Sequence, residues 1–370
     1  MRIAKGMNVD MHGEINIAYL SDYPFGIGFG GKEIQLLSYM KYTNEGEYNY
    51  KIKLLDFWDK NSLNDVKILH LFGFSNWFYF LIKTLKANKN LRIVISPTMY
   101  FEKNIKFEVA SFMGFICPIP NFFKYTKFIF ENVDVIITNS FAEKDFLVQN
   151  YGHNIENKIE IVYNAIEGDF NVFSSDKNVS SFVEKYNIDS DYILSVGFFD
   201  ERKNTISLIK AFIEVYPLIK KKLVLIGDFR FAKKQNKIFC EQLINNNKDK
   251  IIHIPYIDKT KNIDLLKSAY YNCSYHVLPS KIETPGISNL EAASFGKNII
   301  AGDCKPVREY FLDKAYYCNP KSIEDIKEKL IEVNGKPQNN KEIKKLVIEK
   351  YTYNASVQKL IKIYEKLLNN

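Results

Sequence analysis

Glu283 and Glu291 stand eight positions apart on either side of Pro285-Gly286 and of a run from Ile287 onward. Pro285 and Gly286 end any strand before them, and the run that follows suits a helix stopped by Gly296. The first carboxylate then lies on a loop, and the second just over one turn inside the helix. The backbone N–H groups of Gly286, Ile287, Ser288 and Asn289 would be free at the helix start, where anions bind. A phosphate cradle with a carboxylate on each side suits a phosphorylated polyol. Two further stretches offer related chemistry. Arg202 and Lys203 are adjacent cations after an apolar run at 192–197. Gly26, Gly28 and Gly31 form G-x-G-x-x-G between a strand at 15–20 and a helix at 32–42, which brings backbone amides close to a phosphate. Asp56, closing a strand at 50–55, lies where a dinucleotide fold holds its ribose acid, so an NAD-dependent oxidoreductase is one reading.

Apolar runs and helical spacing alternate along the whole chain. Strands are predicted at 66–71, 91–96, 133–140 and 158–164, and a helix at 77–86. Ser140 and Glu143 read as a capping box for a helix after the third of these. Polar residues 174–187 read as an interdomain connection. A second series then runs from 192 to 318, with strands at 192–197, 223–226, 251–254, 275–278, 298–301 and 316–318. Helices are expected at 207–216, 237–245 and 263–271, then at 322–333 and 341–368. The fold class is therefore α/β, with two Rossmann-like parallel-sheet domains. Ligands of such sheets bind beyond the C-terminal strand ends, so the glycine loop and the Glu283–Glu291 stretch can face one cleft.

Net charge is +8, which fits a diphosphate, an anionic membrane or nucleic acid. No block of like charge is long enough for a nucleic-acid tail, and no nucleic-acid partner is expected. Five cysteines without C-x-x-C spacing argue against a metal site or a disulfide framework and for buried thiols in a reducing cytosol. Residues 1–14 lack an apolar signal core, and no run of about 18 apolar residues is present. Residues 107–130 are apolar and aromatic but broken at 117–120. They read either as packed core or a lid, or, with Lys103, Lys106, Lys124 and Lys127 interleaved, as a surface meeting membrane. His70, His253 and His276 read as core histidines.

Taken together, these motifs resemble family 4 retaining glycosyltransferases of the GT-B fold. The E-x7-E segment at Glu283 and Glu291 is the strongest point of likeness. Gly30-Gly31-Lys32-Glu33 resembles the first-domain Gly-Gly-x-Glu loop, and Val162-Tyr163-Asn164-Ala165-Ile166 the segment closing that domain. The strand and loop at 195–204 resemble the element that delivers a basic residue to the donor diphosphate.

The resemblance covers roughly residues 15–335. It implies a first domain at 1–172 rejoined by a C-terminal helix at 352–370, and a donor domain at 173–351. It implies a hexosyltransferase that moves a sugar from a UDP- or GDP-sugar to a glycan or polyprenyl-linked acceptor with retention, with no metal or cofactor. Glu283, Lys203 and Arg202 would be catalytic. Glu291, Gly197, Tyr256 and Ile257 would bind the nucleotide, and Gly30, Gly31, Gly286, Ile287, Ser288 and Asn289 the donor phosphates. Thr98 and Asn164 would lie on the acceptor side. The implied setting is surface polysaccharide synthesis, in the cytoplasm or at the inner face of its membrane through residues 103–130. Two positions depart from the family pattern. Phe198 stands where many members have Arg, and Pro97-Thr98-Met99-Tyr100 where many carry a His. These departures leave a non-catalytic partner subunit of GT-B shape as a further alternative.

Overall fold

The structure is a computed structural model that describes residues 15–26, 30–87, 91–101, 105–116 and 119–369. Gly28 and Lys103, named above, lie outside the described residues, as do residues 1–14, one of the five cysteines (Cys117) and the side chain of Lys106. Twelve strands are described, β1 Ile15–Ser21, β2 Tyr50–Leu54, β3 Val66–Phe72, β4 Arg92–Ser96, β5 Val135–Thr138, β6 Ile159–Ile161, β7 Tyr192–Val196, β8 Lys222–Ile226, β9 Ile251–Ile254, β10 Tyr275–Leu278, β11 Asn298–Gly302 and β12 Tyr316–Cys318. They form two six-stranded sheets of order β2-β1-β3-β4-β5-β6 and β12-β11-β10-β7-β8-β9, every pair parallel. Helices cover both faces, as near-continuous apolar strands such as Ile193-Leu194 and Ile299-Ile300 require. This is the GT-B architecture the sequence implied.

The order of each sheet reverses direction once, at β1/β3 in the first and at β7/β10 in the second. Loops leaving these strands open a crevice where α/β proteins bind ligands.

Residues 341–368, expected as one helix, form two, Lys341–Lys350 and Tyr353–Asn369. The break is where the chain passes from the second domain back to the first. Ile166 takes a parallel bridge with Thr352, and its N–H donates to the Tyr351 carbonyl at 3.0 Å. The last helix then buries Tyr353, Val357, Leu360 and Tyr364 among Tyr19, Leu36 and Phe72 of the first domain. His70 sits in this core, with Nδ1 2.6 Å from the Tyr364 hydroxyl and Nε2 2.8 Å from Ser96 Oγ. Burial lowers its pKa to about 3, so it is a neutral core histidine. His276 is also fully buried and lowered to about 3 by burial.

Three local expectations change. Residues 174–187 are not a bare connection: the short helix Ser181–Lys185 buries Phe182 in the second-domain core, against helix Lys259–Asn272. Ser140 Oγ does accept the Glu143 N–H at 3.0 Å, but the Glu143 carboxylate does not close the box. It accepts instead from Asn139 N at 2.7 Å and Met99 N at 2.5 Å, tying the loops after β5 and β4 together. Residues 107–130 divide into helices Ile105–Ile116 and Phe122–Asn132. The second buries Thr126, Ile129 and Phe130, whereas Val109, Phe112, Met113 and Ile116 of the first stand exposed along one face. Core and surface readings thus apply to different helices. No helix among the described residues is long and apolar enough to cross a membrane.

Candidate functional site

A cavity of about 410 Å³ lies between the two sheets. From the first domain it is lined by Gly30, Gly31, Thr98 and Asn164, and from the second by Gly197, Arg202, Lys203, Tyr256, Ile257, Glu283, Ile287, Ser288 and Glu291. The loops after β1, β4, β7, β9 and β10 therefore converge. Of the residues singled out in the sequence, Gly286 and Asn289 stay behind this lining.

Glu283 is held by cations from the loop after β7. Lys203 Nζ pairs with Oε2, Arg202 Nη1 lies 3.3 Å from both oxygens, and Ser280 Oγ donates at 3.3 Å. The two loops are pinned to each other. Lys281 N donates to the Arg202 carbonyl at 2.8 Å, and Asn204 Nδ2 donates to the carbonyls of Pro279 at 3.2 Å and Pro320 at 2.8 Å. Burial alone would raise the Glu283 carboxyl, but Lys203 and Arg202 overcome it and hold its pKa at about 2.

Glu291 lies a turn into helix Ile287–Ser294, and both of its oxygens are occupied. Lys259 Nζ pairs with Oε1, and the Tyr270 hydroxyl donates to Oε2 at 2.6 Å. Burial lowers Lys259 to about 8. Gly286, before that helix, has φ +85°. A Cβ there would sit 3.1 Å from Glu283 Cγ and 3.0 Å from Asn289 Nδ2, so glycine keeps the loop and helix together.

The expected row of four free amides is shorter. Asn289 N–H donates to the Gly286 carbonyl at 2.9 Å, because the first turn closes tightly, and the Asn289 side chain turns inward to the Pro285 carbonyl at 3.2 Å. Ile287 and Ser288 remain on the cavity wall. Gly30 is also changed: its N–H donates to Glu33 Oε2 at 2.9 Å and is taken up by the helix cap. Gly31 approaches across the cleft. A Cβ on it would come 3.3 Å from Ile287 Cδ1, so a side chain there would press on the opposite domain.

Several polar lining residues were given no role from the sequence. Gln35 and Asn139 come from the first domain, as does Lys32, quoted only within the glycine loop, and Lys259 comes from the second. Lys32 pairs with Asp22 and lies 3.1 Å from Glu33 Oε1. Gln35 Nε2 donates to Asn139 Oδ1 at 2.9 Å, while buried Gln35 Oε1 has no protein partner among the described residues. Lys32 and Lys259 each stand in the first turn of a helix, the end that repels cations, which was their one legible signal. The lining carries four cations, Lys32, Arg202, Lys203 and Lys259, with the carboxylates Glu283 and Glu291, and Asp22 and Glu33 stand behind Lys32.

Phe198, the first of the two departures noted in the sequence, lies in an aromatic group. Its ring is stacked on Tyr256 with centroids 6.1 Å apart, Phe231 meets it edge-on at 5.0 Å, and the Arg230 guanidinium lies over it at 5.4 Å. Asp56, the ribose acid of the oxidoreductase reading, lies elsewhere. It lines a separate groove with Tyr23 and Trp58, and its Oδ1 accepts Trp58 N–H at 2.9 Å.

Comparison with known proteins adds a family and a fold. The family model for glycosyl transferases group 1 matches residues 176–366, just over half of the chain. Two uncharacterized glycosyltransferases of Methanocaldococcus jannaschii are each 26% identical, over 255 and 256 residues; these matches take in 66% of this chain and 62% and 61% of those proteins. The chain thus spans about three fifths of the length of the curated relatives it matches. Among solved structures, Anabaena HepE in complex with UDP and glucose superimposes with TM-score 0.75 at 11% identity, covering 96% of this chain and 100% of that one. A glycosyltransferase from Rickettsia africae gives 0.72 at 15% identity, covering 97% and 100%. The sucrose-phosphate synthase of Thermosynechococcus elongatus gives 0.73 at 16%, covering 96% and 99%.

Proposed function

The chain belongs to the glycosyl transferases group 1 family, and on that premise we propose that it moves a hexosyl group from a nucleotide diphosphate sugar to an acceptor hydroxyl with retention of configuration. The observation that carries this reading is the gathering of four cations, Lys32, Arg202, Lys203 and Lys259, in one cleft, which suits a nucleoside diphosphate leaving group. In the reaction, the bond between the anomeric carbon and the β-phosphate oxygen breaks. The acceptor oxygen bonds to that carbon from the same face, and its proton passes to the departing phosphate oxygen.

Lys203 and Arg202 would meet the charge that develops on the diphosphate. Preorganised groups of this kind contribute roughly 3–4 kcal/mol in a water-poor site. Amides of Ile287 and Ser288, at the start of helix Ile287–Ser294, and Gly31 would face the phosphates. Glu283 would accept hydroxyls of the donor sugar and Glu291 those of the ribose, with the base near Tyr256 and Ile257. Thr98 and Asn164 would lie on the acceptor side. These cations would do the work that a metal does in other transferases. Complexes of HepE with UDP support a uridine donor.

The acceptor would be a glycan or a polyprenyl-linked sugar in surface polysaccharide synthesis, worked on at the cytoplasmic face of a membrane. The support is the exposed stripe Val109, Phe112, Met113 and Ile116, with Ile119 beside it and Lys124 and Lys127 on the next helix.

A thermal-shift panel of UDP-, GDP- and ADP-sugars, with NADH alongside, tests the core of this reading. At about 100 times Kd a ligand adds about 2.7 kcal/mol to stability, so one nucleotide sugar should raise the transition by several degrees. A panel in which NADH alone shifts it would replace group transfer with redox chemistry.

A further inference from the structure

The first turn of helix Phe141–Tyr151 carries a fully buried carboxylate, Glu143. No cation stands among the groups that act on it, so hydrogen bonds alone must hold its charge. Each oxygen takes one backbone N–H, Oε1 that of Met99 at 2.5 Å and Oε2 that of Asn139 at 2.7 Å. Met99 follows β4 and Asn139 follows β5, its neighbour in the sheet, so one side chain spans two loops behind the first-domain wall of the cleft. We infer that Glu143 is a positioning residue of this site, whose ionised carboxylate keeps that wall in its working shape through the Met99 and Asn139 amides. The inference rests on the group-transfer reading above and adds to it a residue that does not touch substrate.

The wall needs such a hold. Thr98, which lines the cleft, has φ +48°, a left-handed conformation that is costly for a β-branched residue. Such a backbone persists only where its surroundings impose it. The Thr98 hydroxyl does not impose it, since it donates back to the Pro97 carbonyl at 2.8 Å. The next amide along, that of Met99, is the one Glu143 takes. Asn139 passes the hold further. Its Oδ1 accepts Gln35 Nε2 at 2.9 Å, and its carbonyl accepts the Tyr310 hydroxyl at 2.7 Å. That hydroxyl in turn accepts the Asn164 N–H at 2.6 Å. Thr98, Asn139, Gln35 and Asn164 all line the cleft, and each is tied to this one carboxylate.

The hold depends on charge. A carboxylate accepts at both oxygens, whereas the acid carries an O–H that faces one of the two N–H donors and gives up that loop. Burial pushes the Glu143 carboxyl up to about 7, against the pull of the two amides, and Glu309 adds repulsion. Glu309 and Tyr310 reach it from helix Lys305–Phe311 of the second domain. Glu309 caps the same helix, accepting the Phe141 N–H at 2.8 Å and the Ala142 N–H at 3.1 Å. Burial raises Tyr310, and Tyr151 behind Met99, so both stay neutral. On its own helix, Lys144 turns away to Glu156 at 3.5 Å, and Asp145 is exposed. The shift is upward, so the ionised form prevails only above about 7, and the hold weakens as pH falls through that value.

The test reads the loops and the reaction separately, on the whole chain. Hydrogen exchange by mass spectrometry, corrected for the intrinsic effect of pH, follows the peptides that contain Met99 and Asn139. Their protection in the wild type should drop about tenfold from pH 8 to pH 6. In Glu143→Gln, whose amide accepts at one atom only, it should be low at both. Release of nucleoside diphosphate from the nucleotide sugar that shifts the thermal transition gives kcat and KM. The wild-type kcat should fall about tenfold from pH 8 to pH 6, and Glu143→Gln should show the lower value at both, with the donor KM within about twofold of wild type. Glu309→Gln keeps Glu143 and removes the repulsion, so its acid limb should move to lower pH. A wild-type kcat equal at pH 8 and pH 6, wild-type protection in Glu143→Gln at pH 8, or an unmoved limb in Glu309→Gln would overturn the proposal. Protection that follows Glu143 as stated, with no nucleoside diphosphate released from any nucleotide sugar, would instead strike the group-transfer reading.

Discussion

Replacing Lys203 by methionine removes the closest partner of a carboxylate that has little water to turn to. The Glu283 and Lys203 side chains are 10% and 12% exposed. Breaking a buried pair by deleting one member costs about 3–5 kcal/mol. Arg202 remains 3.3 Å away, but its side chain is 44% exposed and its screened contact returns only part of the loss. Lys203→Met should therefore destabilise the protein by about 2–4 kcal/mol, or roughly 5–12 °C for a domain of this size. Lys203→Met with Glu283→Gln should recover part of this, with a coupling of about 1–3 kcal/mol. The sign with pH follows from the Glu283 shift. Its folded pKa of about 2 lies below its usual 4.5, so the pair adds stability that is present above 4.5 and lost as pH falls toward 2. The gap between wild type and Lys203→Met should narrow over that window. Urea unfolding of the three variants at pH 7 and pH 3.5, followed by circular dichroism, reads all of this. A Lys203→Met protein with the wild-type midpoint, or a double variant as weak as the sum of its parts, would refute the account. On the proposed reading, kcat also falls by about 100- to 1000-fold in Lys203→Met.

Lys259, lowered to about 8 by burial, loses its proton above that pH, and the cleft then keeps three of its four cations. The kcat/KM for the donor should then fall by up to about tenfold per pH unit above 8, and Lys259→Arg should remove that limb from the pH profile. Tyr364→Phe deletes a hydroxyl 2.6 Å from His70 Nδ1 and 2.9 Å from the Tyr19 hydroxyl, leaving buried partners unmet; a loss of about 1–3 kcal/mol should appear in the urea midpoint. Phe112→Ser combined with Met113→Ser, both at exposed positions, should abolish cosedimentation with anionic vesicles at low salt while leaving the thermal transition in place.

Much of this cleft was legible because its pieces lie at strand ends. A strand followed by Gly30-Gly31, or by Glu283-Thr284-Pro285-Gly286, carries its own address in a parallel sheet, since ligand loops leave the C-terminal edge. Residues that act through partners elsewhere in the chain were not legible. Lys259 looked like a loop residue because Asn262 breaks the helical angles within helix Lys259–Asn272, which blurs the period at that end. Gln35 looked like one polar residue on an amphipathic helix, and only its bond to Asn139 turns it to the cleft. Asn289 misled for a related reason. A free amide was expected from position alone, but the geometry of the first turn spends that N–H inside the helix. The C-terminal break at 351–352 had no Pro or Gly to mark it. Pairing with Ile166, 186 positions earlier, sets it, and no local pattern encodes a contact of that range.

Both carboxylates first read as acceptors of sugar hydroxyls are already charge-paired within the cleft, Glu283 with Lys203 and Arg202 and Glu291 with Lys259. The desolvation of these groups is therefore met during folding rather than at the moment of binding. On the proposed reading, a diphosphate does not enter a bare positive field. It enters a network whose ammonium groups can shift from carboxylate to phosphate oxygens within one cavity, while the released carboxylates turn to hydroxyls of the same ligand. Every group that gives up a partner gains one. A ligand with phosphates and no sugar would take the cations and leave Glu283 buried without a hydroxyl. The free diphosphate should therefore bind more weakly than the full donor by about the 1–3 kcal/mol that an unmet buried group costs. Calorimetry of UDP against the UDP-sugar that shifts the thermal transition decides it, and equal affinities would mean that Glu283 keeps Lys203 throughout.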